Sequence, residues 1–340
     1  FFMRFGTFVF PVSQKPANDY RIIHETLSEI QLCDKLGFDT AWLSEHHFDG
    51  ATAYVDPVVF AASIAATTRK IRIGFAVVEM ALHHPVRLAA QTALLDNLSN
   101  GRLLVGTGKG SAFNEYEYIG FGVPMEDAAE SLQEAENLIL EAWKGNPVNF
   151  TGKYWNVAFP SLRPTPYQTP HPPLIRACLS EESTREMARI RRPILIGAQD
   201  NDSISNRINL YRQELESANL SEEKIETLLD KIWVSKNVFV ADTSSEALER
   251  AQLGLDTEQN HFRKARDDFN PSHTITKKSN PNEFQSTFIA GNTEDVYEQI
   301  LELKEIGVSN LMMKMNTGEM EPEIVRKSIK LFSEDVMSRF

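Results

Sequence analysis

Three short segments carry side chains suited to chemistry. Glu45-His46-His47 sets two imidazoles beside a carboxylate. Adjacent residues on an extended segment point in opposite directions, so the pair cannot easily share a metal, and one ring is expected to face a site. A neutral imidazole there would act as general base or hydrogen-bond partner, with Glu45 nearby to orient it. The plainer alternative is two partly exposed histidines that satisfy loop carbonyls. Gly106-Thr107-Gly108-Lys109-Gly110 joins glycines, which permit close backbone approach to a ligand, to a cation. It is too short for a Walker loop and lacks its Gly-Lys-Ser/Thr ending; a glycine-rich turn after a strand accounts for it equally well. Ser180-Glu181-Glu182-Ser183-Thr184-Arg185 offers hydroxyls, free helix-end N–H groups and a guanidinium. This reads as a phosphate cradle or as a plain helix cap, two uses that are compatible. His83-His84-Pro85 reads mainly as a turn opening a helix. Tyr116, Tyr118 and Phe121 line a pocket or hold an insertion down. The sequence suggests no metal site, and no nucleophile elbow or dinucleotide GxGxxG is visible.

Positioning these segments requires elements, and strand and helix patterns alternate along the chain. Strands are expected at Arg4 to Phe10, Phe38 to Ser44, Ile71 to Val78, Arg102 to Thr107, Pro173 to Leu179, Ile194 to Ala198, Ile232 to Val240 and Asn310 to Met315. A helical pattern follows each. Asp56-Pro57 and His84-Pro85 mark the second and third helix starts, and Gly37 stops the first. The fourth helix is expected from about Ala128 to Trp143, after a loop of aromatic and acidic residues, and the seventh from about Ser244 to Leu255. Between Gly145 and Pro173 seven prolines exclude a regular helix, which predicts an excursion with a small hairpin around Asn149 to Val157. Asp256 to Ser286 is densely charged, has Asn-Pro twice and shows no period, so it reads as a long mobile loop.

The length of 340 residues suggests two domains at first. About eight β–α units of one type, without a second composition class, argue instead for a single α/β domain over residues 3–340, a (β/α)8 TIM barrel with insertions at 145–173 and 256–286. Active sites in such barrels sit at the C-terminal ends of the strands, where all three segments fall. The formal charge of -12 makes nucleic acid and anionic membranes poor partners. Two cysteines, Cys33 and Cys178, form no disulfide framework, and no run approaches a membrane span or a secretion signal. A soluble, cytoplasmic protein is expected.

Several segments carry a resemblance. Met3-Arg4-Phe5-Gly6-Thr7-Phe8, Leu43-Ser44-Glu45-His46-His47-Phe48, His83-His84-Pro85-Val86-Arg87, Leu94 through Arg102 and Lys330 through Met337 stand in this order and spacing. Together they resemble, nearly end to end, the bacterial luciferase family of flavin-dependent monooxygenases, especially its catalytic α-type subunit. The resemblance implies a TIM barrel that binds reduced FMN, adds O2 to form a flavin C4a-hydroperoxide, and oxygenates an organic substrate, a long-chain aldehyde in light-emitting members. It implies that His46 stabilises the flavin peroxide or acts as base beside it, with Glu45 as its neighbour. It further implies cofactor contacts at Ser180, Ser183 and Thr184 with the phosphate, at Ala177, at Lys109 where luciferases carry arginine, and at Ala76 and Val77, joined by a non-proline cis peptide near the ring. Two positions depart from the pattern: a second phosphate-binding arginine falls near Ala128 or Ala129, and a large aromatic after the sixth strand is Ala198. The 256–286 segment matches a mobile lid. A separate flavin reductase would supply FMNH2, and a homodimer or heterodimer would form through the second and third barrel helices. Two other readings are hydride transfer with deazaflavin F420, which related barrels use, and a non-catalytic flavin-binding or partner subunit. The intact Glu-His-His motif speaks against the latter.

Overall fold

A computed structural model describes residues 2–271 and 282–340. Eight parallel strands form a closed barrel: Arg4–Val9, Thr40–Leu43, Arg72–Phe75, Leu103–Gly108, Leu174–Ala177, Ile194–Ile196, Trp233–Val240 and Asn310–Lys314. Each pairs with the next, and the eighth returns to the first with Phe5 opposite Leu311. Two short strands extend the sheet, Val78–Glu79 against the fourth strand and Phe288–Gly291 against the end of the seventh.

The barrel interior is a packed core. Trp42, Leu104, Ile175, Leu195, Trp233 and Met312 fill it, with the two indoles edge to face at 5.1 Å. Glycine at positions 6 and 74 is a consequence, because a Cβ would lie 2.9 Å and 2.4 Å from the Trp42 ring. Around the strands, helices start and stop where local chemistry dictates. The Asp56 carboxylate accepts from the N–H groups of Val58 and Val59 ahead of Pro57, which opens Pro57–Thr67. Gly37 adopts a left-handed φ of 87° and ends Asp19–Leu36. Ala128–Trp143 buries Leu132, Leu138 and Ile139 on one face.

Insertions decorate this frame. The expected hairpin is an antiparallel pair, Val148–Thr151 with Asn156–Phe159. The proline-rich remainder is pinned to the barrel by Gln168, whose amides donate to Asp96 and to the Leu103 carbonyl. Two expectations of irregular chain are corrected. The aromatic and acidic stretch after the fourth strand contains a helix, Glu115–Phe121. The seventh helix does not stop at Leu255 but runs from Ser244 to Phe269, ending at Asn270, which precedes Pro271. Leu255, Phe262 and Ala265 lie along one side of it, and their partial or full burial stabilises a helix whose other faces are charged. Of the remaining 256–286 segment, residues 272–281 lie outside the described residues, and Glu283–Thr287 is helical. Both cysteines are free, buried thiols. Among the described residues no helix is long and apolar enough to cross a membrane.

Candidate active site

Beyond the second strand the chain stays extended, so Glu45 and His47 share one side and His46 takes the other. His46 reaches a cavity of about 710 Å³ at the C-terminal ends of the strands. Its Nδ1 lies 3.1 Å from Glu117 Oε1, and the same oxygen accepts the His47 backbone N–H at 2.9 Å. Asn114 Nδ2 stands 3.4 Å from Nδ1, and the rings of Phe10 and Phe262 flank the imidazole at 5.1 and 5.8 Å. Burial pulls the imidazole pKa down, but the hydrogen bond and charge of Glu117, with Glu79 and Asp49 behind it, prevail and raise it to about 9. The setting therefore favours the imidazolium over the neutral base expected from sequence.

Glu45 does not orient His46. Its buried carboxylate accepts from His47 Nε2 at 2.8 Å, from His83 Nε2 at 2.8 Å and from the Glu79 N–H at 2.7 Å. Burial disfavours its charge, yet these partners hold it below the usual carboxylate range. Glu45 thus ties the second strand to the turn after the third, and His83 is more than a turn residue.

Glu79 and Glu117 are both buried, and each has a carboxylate oxygen, Oε2, without a hydrogen-bond partner among the described residues. Burial, then the charge of Glu117, pushes Glu79 well above the ordinary carboxylate range, with His46 opposing and Glu45 adding to the rise. The polar atoms of His46, Glu79 and Glu117 lie within 4.8 Å of one another, a spacing that suits shared protons and would also admit a cation.

The cavity wall brings together several residues expected to contact a cofactor. Ala76, Val77 and Ala177 line it, as does Ala198, and the Ala76–Val77 peptide is cis. The long helix Ser244–Phe269 supplies Glu258, Phe262, Arg263 and Arg266 to the same cavity. It is fastened by Lys314 Nζ, 2.5 Å from Glu258 Oε1, and by Arg266 Nε, which donates to Asn114 Oδ1 at 3.1 Å.

Other expected residues sit at or beyond the rim. Ser180 caps the helix Glu181–Arg189 through a reciprocal capping box with Ser183; Ser180 is exposed and Ser183 half-buried, beside Leu179, which lines the cavity. Thr184 is buried, with its hydroxyl donating to the Ser180 carbonyl at 3.0 Å. Arg185 turns away to Glu214 at 2.9 Å, while Arg207 reaches the Leu179 carbonyl at 2.9 Å and is the guanidinium beside the cap. Lys109 is exposed and outside the cavity wall. The glycines around it are required by protein rather than ligand: a Cβ on Gly106 would lie 1.9 Å from the Phe75 carbonyl oxygen, and one on Gly108 2.7 Å from Val77. Tyr116, Tyr118 and Phe121 hold the insertion down. Tyr118 donates to the Lys109 carbonyl at 2.7 Å, and Phe121 packs on His47 at 4.7 Å.

A model of the luciferase-like monooxygenase family matches residues 3–310. The oxygenase component of a flavin-dependent trigonelline monooxygenase from Acinetobacter baylyi is 31% identical over 173 residues, 51% of this chain and 48% of that protein. The chain spans about half the length of the curated relatives it matches. Among solved structures, the monooxygenase RslO1 from Streptomyces bottropensis superimposes with a TM-score of 0.84 at 23% identity, covering 99% of both chains. The oxygenating constituent of 3,6-diketocamphane monooxygenase from Pseudomonas putida, in complex with FMN, gives 0.79 at 19% identity over 100% of this chain and 99% of that one. These two share the fold. By the reach of the family match along its length, the chain belongs to the luciferase-like monooxygenases.

Proposed function

We propose that the protein is the oxygenase of a two-component system, which receives reduced FMN from a separate flavin reductase and uses O2 to oxygenate an organic substrate. The observation that carries this is the His46 imidazole, hydrogen-bonded to Glu117 at the wall of a cavity whose opposing strand ends are small residues. The fit to a flavin is supported by the chemistry of the donors. Ala76, Val77, Ala177 and Ala198 present no bulky side chain, so a planar ring system can lie against them. Ser180, Ser183 and the first-turn N–H groups of a nine-residue helix suit a phosphate, with Arg207 beside them.

Reduced FMN, when bound, supplies the two electrons that let one oxygen atom of O2 enter the substrate while the other leaves as water. The chain's own work is to position, protonate and exclude water. His46 Nε2, without a hydrogen-bond partner among the described residues when Nδ1 engages Glu117, carries the proton that stabilises developing negative charge in the cavity. Glu79, whose burial and acidic neighbours favour its protonated form, stands behind it as a second proton holder. Phe262 and the helix that carries it cover the cavity and reduce its access to water. Two copies, or a copy and a homologous partner, would meet through Pro57–Thr67 and Pro85–Leu98, where Val59, Leu94 and Leu98 are exposed.

Anaerobic titration of the protein with photoreduced FMN and with reduced F420, followed by admission of air, tests the reading. Tight retention of FMNH2 and reoxidation slower than that of free FMNH2 are expected. Preference for F420 would move the protein to hydride transfer, and reoxidation as fast as free FMNH2 would leave a flavin-binding subunit.

A further inference from the structure

The cations of the cavity are not equivalent. Lys314 is held by both oxygens of Glu258, and Arg263 donates to Asn260. Arg266 is different. It is half-buried, and among the described residues only its Nε is engaged, by Asn114 Oδ1 at 3.1 Å. Its guanidinium carbon stands 5.4 Å from the Phe262 ring centroid and 5.9 Å from that of Phe113, which holds the planar group in orientation. Among the described residues it has no ion-pair partner. Burial lowers its pKa from the ordinary guanidinium value, and the charges of Tyr116, Glu117 and Glu283 oppose that shift. A partly desolvated cation whose two outer NH2 groups are unclaimed among the described residues favours an anion, and a carboxylate matches its fork.

The position of Arg266 says which anion. Asn114 links it to His46, with Oδ1 on the guanidinium and Nδ2 3.4 Å from the imidazole. Phe262 touches both. A small molecule held at Arg266 by a charged end therefore has its body beside His46, against the apolar surfaces of Phe8, Val77 and Met312. We propose that Arg266 anchors the carboxylate of the organic substrate, and that the enzyme acts on compact, largely apolar carboxylic acids. This rests on the cavity being an oxygenase site. The same guanidinium chemistry would also accept an anionic group of the flavin, and the experiment separates the two.

Calorimetric titration with benzoate and with benzamide, on the protein free and saturated with FMN, is the test. Benzoate is expected to bind the FMN-loaded protein at least about tenfold more tightly than benzamide, since the amide loses the charge-assisted pair. Arg266→Gln should abolish that preference and leave FMN affinity within about twofold of the wild type; Arg266→Lys should keep part of it, as a point charge without the fork. Equal binding of the two probes, no measurable benzoate binding, or an unchanged preference in Arg266→Gln overturns the proposal. So does a loss of FMN affinity in that variant with benzoate preference retained, which would assign Arg266 to the cofactor. If Arg266→Gln fails to fold by circular dichroism, Arg266→Lys carries the test, and an unchanged preference there, together with weakened FMN, counts against the anchor. Failure of the wild type to bind FMN would sink the oxygenase reading alone, because the benzoate comparison on the free protein still reads Arg266.

Discussion

His46 Nδ1 and Glu117 Oε1 stand 3.1 Å apart, although 71 residues separate them in the chain. The helix Glu115–Phe121 brings them together, so the insertion after the fourth strand decides the charge of a side chain placed by the second. Glu117 also accepts the His47 N–H, which fixes the backbone from which His46 projects. One carboxylate thus sets both the direction and the protonation of the imidazole.

Glu117→Gln removes the charge that opposes burial. The His46 midpoint should fall from about 9 to near or below 6.5. An NMR titration of the imidazole Cε1–H reads it directly, and a midpoint that stays above 8 rejects Glu117 as the cause. Linkage gives a second signature. The folded state binds this proton more tightly than the unfolded chain, so its contribution to stability is full below about 6.5 and is lost as pH rises through about 9. Urea midpoints of the wild type should decline across that window more than those of Glu117→Gln.

Ser180→Ala separates cap from cradle. Loss of the hydroxyl that accepts the Ser183 N–H should cost about 1 kcal/mol of stability, seen in urea unfolding. If the same hydroxyl meets a cofactor phosphate, FMN affinity falls several-fold while riboflavin, which lacks the phosphate, binds as before. A parallel loss for both flavins would make Ser180 a cap only.

The periodic parts of the fold were legible because their causes are local. Asp56-Pro57, Gly37 and the apolar stripe of Ala128–Trp143 each determine a boundary from within a few residues. The helix beyond Leu255 was not, since its apolar contacts are sparse and become favourable only over the barrel mouth, where Phe262 meets Phe10 and His46. The site divides in the same way. Strand alternation announced that one histidine would face inward, and the family pattern pointed to the Ala76–Val77 cis peptide. Glu117, Glu79 and Arg266 act through partners far away in sequence. The only local hint was an acid between two aromatics, Tyr116-Glu117-Tyr118, a poor composition for a solvated loop.

Glu45 should behave as a positioning residue. Glu45→Gln leaves His47 and His83 facing an amide in a buried setting, with an expected loss of about 3 kcal/mol. Its folded pKa lies below the unfolded value, so this stabilisation is present above about 4.5 and disappears as pH falls through the folded value; the gap between wild type and variant in urea should close in acid. The His46 midpoint should stay within about half a unit of the wild-type value. A shift as large as that of Glu117→Gln would restore Glu45 as the orienting partner.

Glu258→Gln tests what holds the long helix over the cavity. Lys314 belongs to the eighth strand, is nearly buried, and sits 5.1 Å above the Phe10 ring, so its ammonium has little water to replace a lost carboxylate. Both Glu258 oxygens engage it, at 2.5 and 2.6 Å, which makes the pair a fastening between helix and barrel rather than a surface ion pair. Its loss should weaken docking of residues 256–269 more than it weakens the barrel, because the first part of the same helix is anchored separately by buried Ala247 and Ala251. Hydrogen exchange should accelerate about tenfold in residues 256–269 and stay unchanged in the strands. Uniform acceleration would mean that the pair stabilises the whole fold. No acceleration would leave Arg266–Asn114 and Phe262 as the contacts that hold the helix down.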